Sequence, residues 1–321
     1  MRTLRCFSLL LILALALAMP GRADTTAADL LKAGKADEAL RVLNATLAQD
    51  PKDAVSYNLL CRVYYQLELW DNAMRMAEKS VALEPQNSFY HLWLGRAQGR
   101  KAESSNPFVA FGLARKVKSE FERAVALDTK NLAARADLSE YYLEAPGFLG
   151  GDKNKARQQA EYIAQYDPAL AGYVYAHVEE KQGSGRAEEK FRKAIADGEN
   201  SSRYWMELAH FYRRNGKLKE MESAVTESLA APRQGYIPNF DGASLLLRAG
   251  RNFPGAVQML HQYLSQDDLF EDGPAFQAHY LLGVLLEKQG ERKDAADEFK
   301  AALAMASQFR PARDALARVS R

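Results

Sequence analysis

The chain has 321 residues, 47% apolar and 26% charged, with 43 Lys+Arg against 41 Asp+Glu. That balance excludes a collagen-like, mucin-like or largely disordered chain, and a net charge of +2 is too small to draw it to nucleic acid or anionic lipid by bulk attraction. Two cysteines, Cys6 and Cys61, exclude a disulfide framework.

Residues 1–23 carry the pattern of an export signal. Arg2 and Arg5 precede the apolar run Leu9 to Ala18, and Gly21-Arg22-Ala23 offers small residues at the positions a signal peptidase reads. A retained anchor would need about 20 apolar residues to cross a bilayer as a helix, and the run is too short. The expectation is cleavage after Ala23, one domain over residues 24–321 with no membrane span, and a periplasmic or secreted location. Cys6 lies ahead of the run and cannot be a lipid-accepting cysteine. Removal of Arg2, Arg5 and Arg22 leaves a net charge of −1 and Cys61 alone.

Beyond the signal the sequence repeats. Ala39-Leu40 and Pro51 recur as Ala73-Met74 and Pro85, displaced by 34 residues. Between these landmarks Tyr57, Leu60, Cys61 and Tyr64 share one helical face, and Ala73, Ala77, Ser80 and Val81 share another. Glu68-Leu69 is the connector, and Pro85 closes the second run because proline cannot continue a helix. The clearest copy comes late: His279-Tyr280-Leu281-Leu282-Gly283-Val284-Leu285-Leu286, then Gly290, Ala295, Phe299 and Ala302.

With these residues the sequence resembles the tetratricopeptide repeat (TPR), a 34-residue pair of antiparallel helices with small residues where they touch. The resemblance implies an all-α, right-handed superhelical solenoid. About eight units cover Thr25 to Phe309, and Arg310 to Val319 is a capping helix. Gly283 should sit where the two helices of the last unit meet. The fifth unit lacks the bulky opening residue, and the seventh opens after the irregular Gly235-Tyr236-Ile237-Pro238.

Two units are longer than the pattern. The third, opening at Phe89 to Gly95 and closing with Phe121, Ala124 and Leu127, carries about ten extra residues around Gly99 to Phe108. The fourth carries about five, in Glu144 to Gly151. Both are expected as loops between first and second helices, side by side on one edge of the array. Phe108, Phe111, Phe148 and Leu149 are candidate contact residues there, or else a local lid over that edge.

No catalytic constellation assembles. Gly147-x-x-Gly150-Gly151-x-Lys153 lacks the Ser/Thr and the preceding strand of a phosphate loop, and the five histidines show no metal-ligand spacing. No G-x-S-x-G occurs, and Cys61 occupies a small-residue packing position. Asp267-Asp268 and Glu271-Asp272 read as solvated connector. The expectation is a binding protein that needs no metal or cofactor and is not an enzyme.

In TPR arrays the first helix of each unit lines a concave groove. The resemblance carries that role to Asn58, Arg62 and Tyr65 in the second unit and to Leu92 and Arg96 in the third. It carries it to Arg203, Met206, His210 and Arg213 in the sixth, and to Asp241 and Arg248 in the seventh. Asn58 and Arg62 resemble part of a carboxylate clamp, and Arg62 and Arg96 should stack, exposed, along the groove. The sequence thus points to an exported scaffold that binds a protein or peptide, in envelope assembly or polysaccharide export. The alternative is a binding component for a small anionic or apolar ligand held by the long third and fourth units.

Overall fold

The computed structural model describes residues 21–266 and 269–321. The signal-like run, Cys6 and Asp267-Asp268 lie outside the described residues, and the expected cleavage point falls in the first turn of the first helix.

Every regular element among the described residues is helical, and the helices form eight hairpins. In order these are α1 (Gly21–Lys32) with α2 (Ala36–Gln49), α3 (Ala54–Gln66) with α4 (Trp70–Leu83), α5 (Ser88–Glu103) with α6 (Pro107–Leu127), and α7 (Leu132–Glu144) with α8 (Lys153–Ile163). The second half continues with α9 (Pro168–Gln182) and α10 (Ala187–Asp197), α11 (Ser202–Arg214) and α12 (Leu218–Ala230), α13 (Pro238–Ala249) and α14 (Phe253–Leu264), and α15 (Ala275–Gln289) and α16 (Arg292–Met305). A last helix, α17 (Arg310–Val319), packs on α16 and α15.

Local chemistry sets the helix limits. Asp53, Asn87, Asn106, Asn131, Asp152 and Asp167 each cap a helix start by accepting backbone N–H groups with the side chain. Gly183, Gly250 and Gly290 end α9, α13 and α15 with positive φ, a conformation that costs glycine nothing.

The hairpins close on small residues. A Cβ on Gly283 would lie 2.5 Å from the Phe299 ring, and one on Gly95 2.4 Å from Phe121. Cys61 fills the same position of the second unit, fully buried in one cluster with Ala73 and Ala77. Gly283→Leu should therefore cost about 1–3 kcal/mol by overpacking against Phe299. Thermal unfolding checks this, and an unchanged midpoint would contradict it.

The third unit differs from expectation in form. Its extra residues are not a loop: they lengthen α5 and α6 into a longer hairpin whose turn is only Ser104-Ser105-Asn106. Continuing helical hydrogen bonds satisfies the added backbone more completely than an irregular loop would. His91 bonds Glu120, 29 residues on, whereas His279 bonds Glu298, 19 residues on, both at 2.6 Å. The same contact is made across a hairpin ten residues longer. The fourth unit's extra residues do form a loop, with a single 3-10 turn at Gly147–Leu149.

The two ends of the array meet. Leu31, Leu40 and Leu43 of the first unit share one buried cluster with Phe276, Ala302, Ala306 and Phe309 of the last. The Ser307 N–H donates to Asp37 Oδ2 at 2.9 Å, and Gln277 Nε2 donates to the Gln66 carbonyl at 2.7 Å. Gly34, at φ 70°, lies so close to Pro274-Ala275 that a Cβ would come within 2.3 Å of the Ala275 nitrogen. The solenoid is closed into a ring, with its first helices facing inward.

Candidate functional site

Ring closure gives the concave face a chamber. Three adjoining cavities of about 530, 480 and 430 Å³ occupy it. The first two share Arg96, Asp137 and Glu140, the first and third share Arg203 and Tyr204, and the second and third share Asp272. The walls come from α3, α5, α7, α9, α11 and α13, so the first helices do face the groove.

Most of the arginines on this face are paired; Arg203, which lines the first and third cavities, makes no ion pair among the described residues. Arg62 makes a two-pronged pair with Glu271, Nε–Oε1 at 2.8 Å and a second bond from Nη2 to Oε2. Arg96 pairs with Asp137 at 2.6 Å, Lys181 with Glu144 at 2.7 Å and Arg214 with Glu180 at 2.8 Å. Arg62 lies 5.5 Å and Arg96 5.1 Å from the centre of the Trp93 ring, so cation–π contact holds both guanidinium groups.

Arg62 and Arg96 are therefore neighbours, as expected, but not free. The pair of Arg62 with Glu271 is only 19% and 24% exposed. Glu271 belongs to the connector before α15, expected as solvated surface; the ring folds it onto the second unit instead.

Other sites move too. Asn58 is 2% exposed, because α1, α2, α4 and α5 all pack around α3. Leu92 belongs to the core of the third and fourth units, and Met206 to the core of the second half. On α11 the chamber is lined by Arg203, Glu207 and Arg214, so the facing row runs one residue later than expected at two places. Arg213 is half-buried beside that row. Tyr65 does line the chamber, with its ring edge-on to Trp70 at 5.3 Å and to Trp93 at 5.5 Å. Asp241 accepts a 2.5 Å hydrogen bond from the Tyr236 hydroxyl.

Sequence reasoning missed Glu140, Glu207 and Asp272. Among the described residues nothing pairs with their carboxylates. Burial pushes Glu207 up to about 7, against the opposing pull of Arg203. Burial also raises Glu140, helped by Asp137, and raises Asp272, helped by Glu271. Only Glu207 left a signal, as an acid one helical turn after Arg203 on α11; nothing in the sequence showed that closure would bring Glu140 and Asp272 into the same space. Among the described residues no group of His, Cys, Asp and Glu is arranged to hold a metal ion.

A second surface lies outside the ring. Asn106 caps α6 and Pro107 starts it, which sets Phe108 in the first turn, 91% exposed. Phe111, one turn on, stacks on Phe148 of the fourth unit with ring centres 6.2 Å apart. Phe148 is still 79% exposed. Its turn is fixed by the Tyr141 hydroxyl, which donates to the Leu149 carbonyl at 2.9 Å, and by Gly150 at φ 91°. The two long units do stand side by side, and together they present an aromatic knob.

Eight stacked hairpins with an inward face of first helices define a helical-repeat interaction scaffold. The chain is a member of the tetratricopeptide repeat family, whose profiles match residues 30–96 and 240–310. No curated protein matches it in sequence. In structure it is similar to PilW, a type IV pilus biogenesis factor, at 14% identity and a TM-score of 0.50, over 66% of this chain and 93% of that one. It is also similar to a TPR protein of Thermus thermophilus, at 18% identity and a TM-score of 0.46, over 71% and 99%. A TPR protein of Parabacteroides merdae gives 14% identity and a TM-score of 0.44, over 94% and 99%. No helix among the described residues is long and apolar enough to cross a membrane.

Proposed function

We propose that this chain is an exported TPR scaffold that docks a partner protein on the aromatic knob of its third and fourth units. The carrying observation is the knob itself: Phe108 and Phe148 stand almost fully in water on two extensions the repeat does not need. Burying such side chains against a partner gains about 1.5–3 kcal/mol each. The groove supports partner binding less well as it stands, because Glu271 and Asp137 already hold Arg62 and Arg96. Export, cleavage after Ala23, a periplasmic or secreted location and work in envelope assembly or polysaccharide export belong to this reading. They rest on Arg2, Arg5 and the run Leu9 to Ala18.

The test replaces Phe108 with a photo-crosslinking phenylalanine in the source cell, with and without Phe148→Ser. One protein should be captured, and Phe148→Ser should abolish its capture. Thermal stability of Phe108→Ser with Phe148→Ser should stay within about 0.5 kcal/mol of the parent, since both side chains are exposed. Capture that ignores Phe148→Ser would overturn the reading.

The concave chamber, partly open to solvent, favours a second reading, a small-ligand carrier. The unpaired carboxylates of Glu140 and Glu207 outnumber the one lining guanidinium left unpaired among the described residues, Arg203, and turn it from an anionic ligand towards a cationic one. A melting point raised by small amines, and insensitive to the knob substitutions, would select it.

A further inference from the structure

The connector between α14 and α15 does more than join them. From Leu269 to Pro274 it runs from the seventh unit across the groove to the second. Phe270 sits among Tyr236, Phe240 and Tyr263, with ring centres 5.7, 6.3 and 6.0 Å away. The buried Tyr263 hydroxyl donates to the Gly273 carbonyl and fixes the turn. Glu271 then takes Arg62 with its carboxylate and Gln66 Nε2 with its carbonyl, the latter at 2.8 Å. Asp272 projects into the chamber.

The segment is a turn, closed by the Gly273 N–H donating to the Phe270 carbonyl at 3.1 Å. Its aromatic ring is in a pocket, its carboxylate on an arginine and one main-chain carbonyl held by a side-chain amide, the set of contacts by which a groove holds a peptide. We infer that Leu269–Pro274 is a resident ligand of the groove, and that the groove's other occupant is a partner segment with an aromatic residue followed by two acidic ones. The two would compete for Arg62 and for the Tyr236–Phe240–Tyr263 pocket.

Three features make the resident segment replaceable. Its ion pair is partly open to water, so an incoming carboxylate can reach Arg62. Its neighbour Asp272 finds no partner among the described residues, and burial, with Glu271 and Asp241 close by, works against its charge more than Arg96 and Arg203 support it. The receptor is also preorganised without it, since Phe89 and Trp93 hold the Arg62 guanidinium at 5.7 and 5.5 Å. Leaving would relieve the crowded carboxylates while exposing Phe270, and an entering segment of the same pattern would cover that pocket again.

The experiment uses a fluorescein-labelled peptide with the sequence of residues 269–274 and the chain lacking residues 1–23, read by fluorescence anisotropy. The parent, in which the resident segment competes, should bind at least tenfold more weakly than Glu271→Ala. Adding Arg62→Ala to Glu271→Ala should remove the gain, and a peptide with Phe→Ser and Glu→Gln should not bind. Circular dichroism confirms that each variant is folded. Asp272→Ala, which breaks no contact and removes the buried charge that disfavours the docked segment, gives a second arm and should bind the peptide more weakly than the parent. Equal affinity of parent and Glu271→Ala, survival of binding without Arg62, or no binding to any variant would each overturn the proposal. Phe108→Ser with Phe148→Ser should leave the peptide affinity unchanged, so failure here and failure of the knob reading are seen separately.

Discussion

Phe309→Ala should destabilise the protein by about 3–5 kcal/mol, the usual cost of emptying a buried phenylalanine site. Phe309 is 1% exposed. Its ring meets Phe276 edge-on at 5.0 Å and Tyr280 at 5.4 Å, in the cluster that also buries Leu31, Leu40 and Leu43. An open solenoid would confine the damage to α15, α16 and α17. In a closed ring the cavity also loosens the first unit. Hydrogen exchange should therefore quicken over residues 26–43 as well as 310–319, segments joined through space and not through the chain. Faster exchange at the C-terminal end alone would contradict closure.

Glu179→Ala should cost about 3 kcal/mol, through loss of charge-assisted hydrogen bonds at a buried site. The Glu179 side chain is 1% exposed and binds three elements together. Ser184 Oγ donates at 2.5 Å from the turn, Arg157 at 2.8 Å from α8, and Arg186 at 3.0 Å from the start of α10. The Ser184 hydrogen bond, then the Arg157 one, hold the carboxyl down at about 2. Because the folded pKa is depressed, the unfolded chain binds more protons between about 4.5 and 2. The contribution is full above that window and lost as pH falls through it. The stability difference between parent and Glu179→Ala, measured by urea denaturation, should shrink as pH falls from 5 towards 3. A difference independent of pH would mean that the carboxylate carries no such role.

Much of the fold was legible because a repeat is a local property. The spacing of Ala39, Ala73 and Pro85 fixes the hairpins, and Gly283 with Phe299 fixes their closest approach. The C-terminal helix has the bounds its amphipathic pattern predicts. The two long units were legible as extra residues, and His91 against His279 even gives the size of the larger one. Its form was not, because Gly99 and Ser104-Ser105-Asn106 read as loop when the packing of a longer hairpin is unseen.

The site was legible only in part. Tyr65 and Arg96 line the chamber, and Phe108 and Phe148 are exposed, from position within the unit alone. Arg62 finds its partner 209 residues away, which no local pattern encodes. Closure is the sum of small rotations over eight units, and a slight change in each would leave the ends apart. That sum decided what happens to Arg62, Glu271 and Asp272. Met206 and Arg213 were misplaced for a smaller reason, because a position carried over from an ideal unit drifts around a real helix, and Asn58 because four helices pack around α3.

Closure is the claim on which the rest depends, and one distance tests it. Glu38 and Gln308 are exposed and flank the Asp37–Ser307 hydrogen bond between the first and last units. Spin labels on Glu38→Cys and Gln308→Cys, in the chain lacking residues 1–23, can be measured by pulsed electron paramagnetic resonance. Cys61 will stay unlabelled, because it is fully buried and burial pushes its thiol up to about 12. The closed ring predicts one narrow distribution at the short end of the measurable range. A broad or long distribution, as the separated ends of an open solenoid would give, would contradict it.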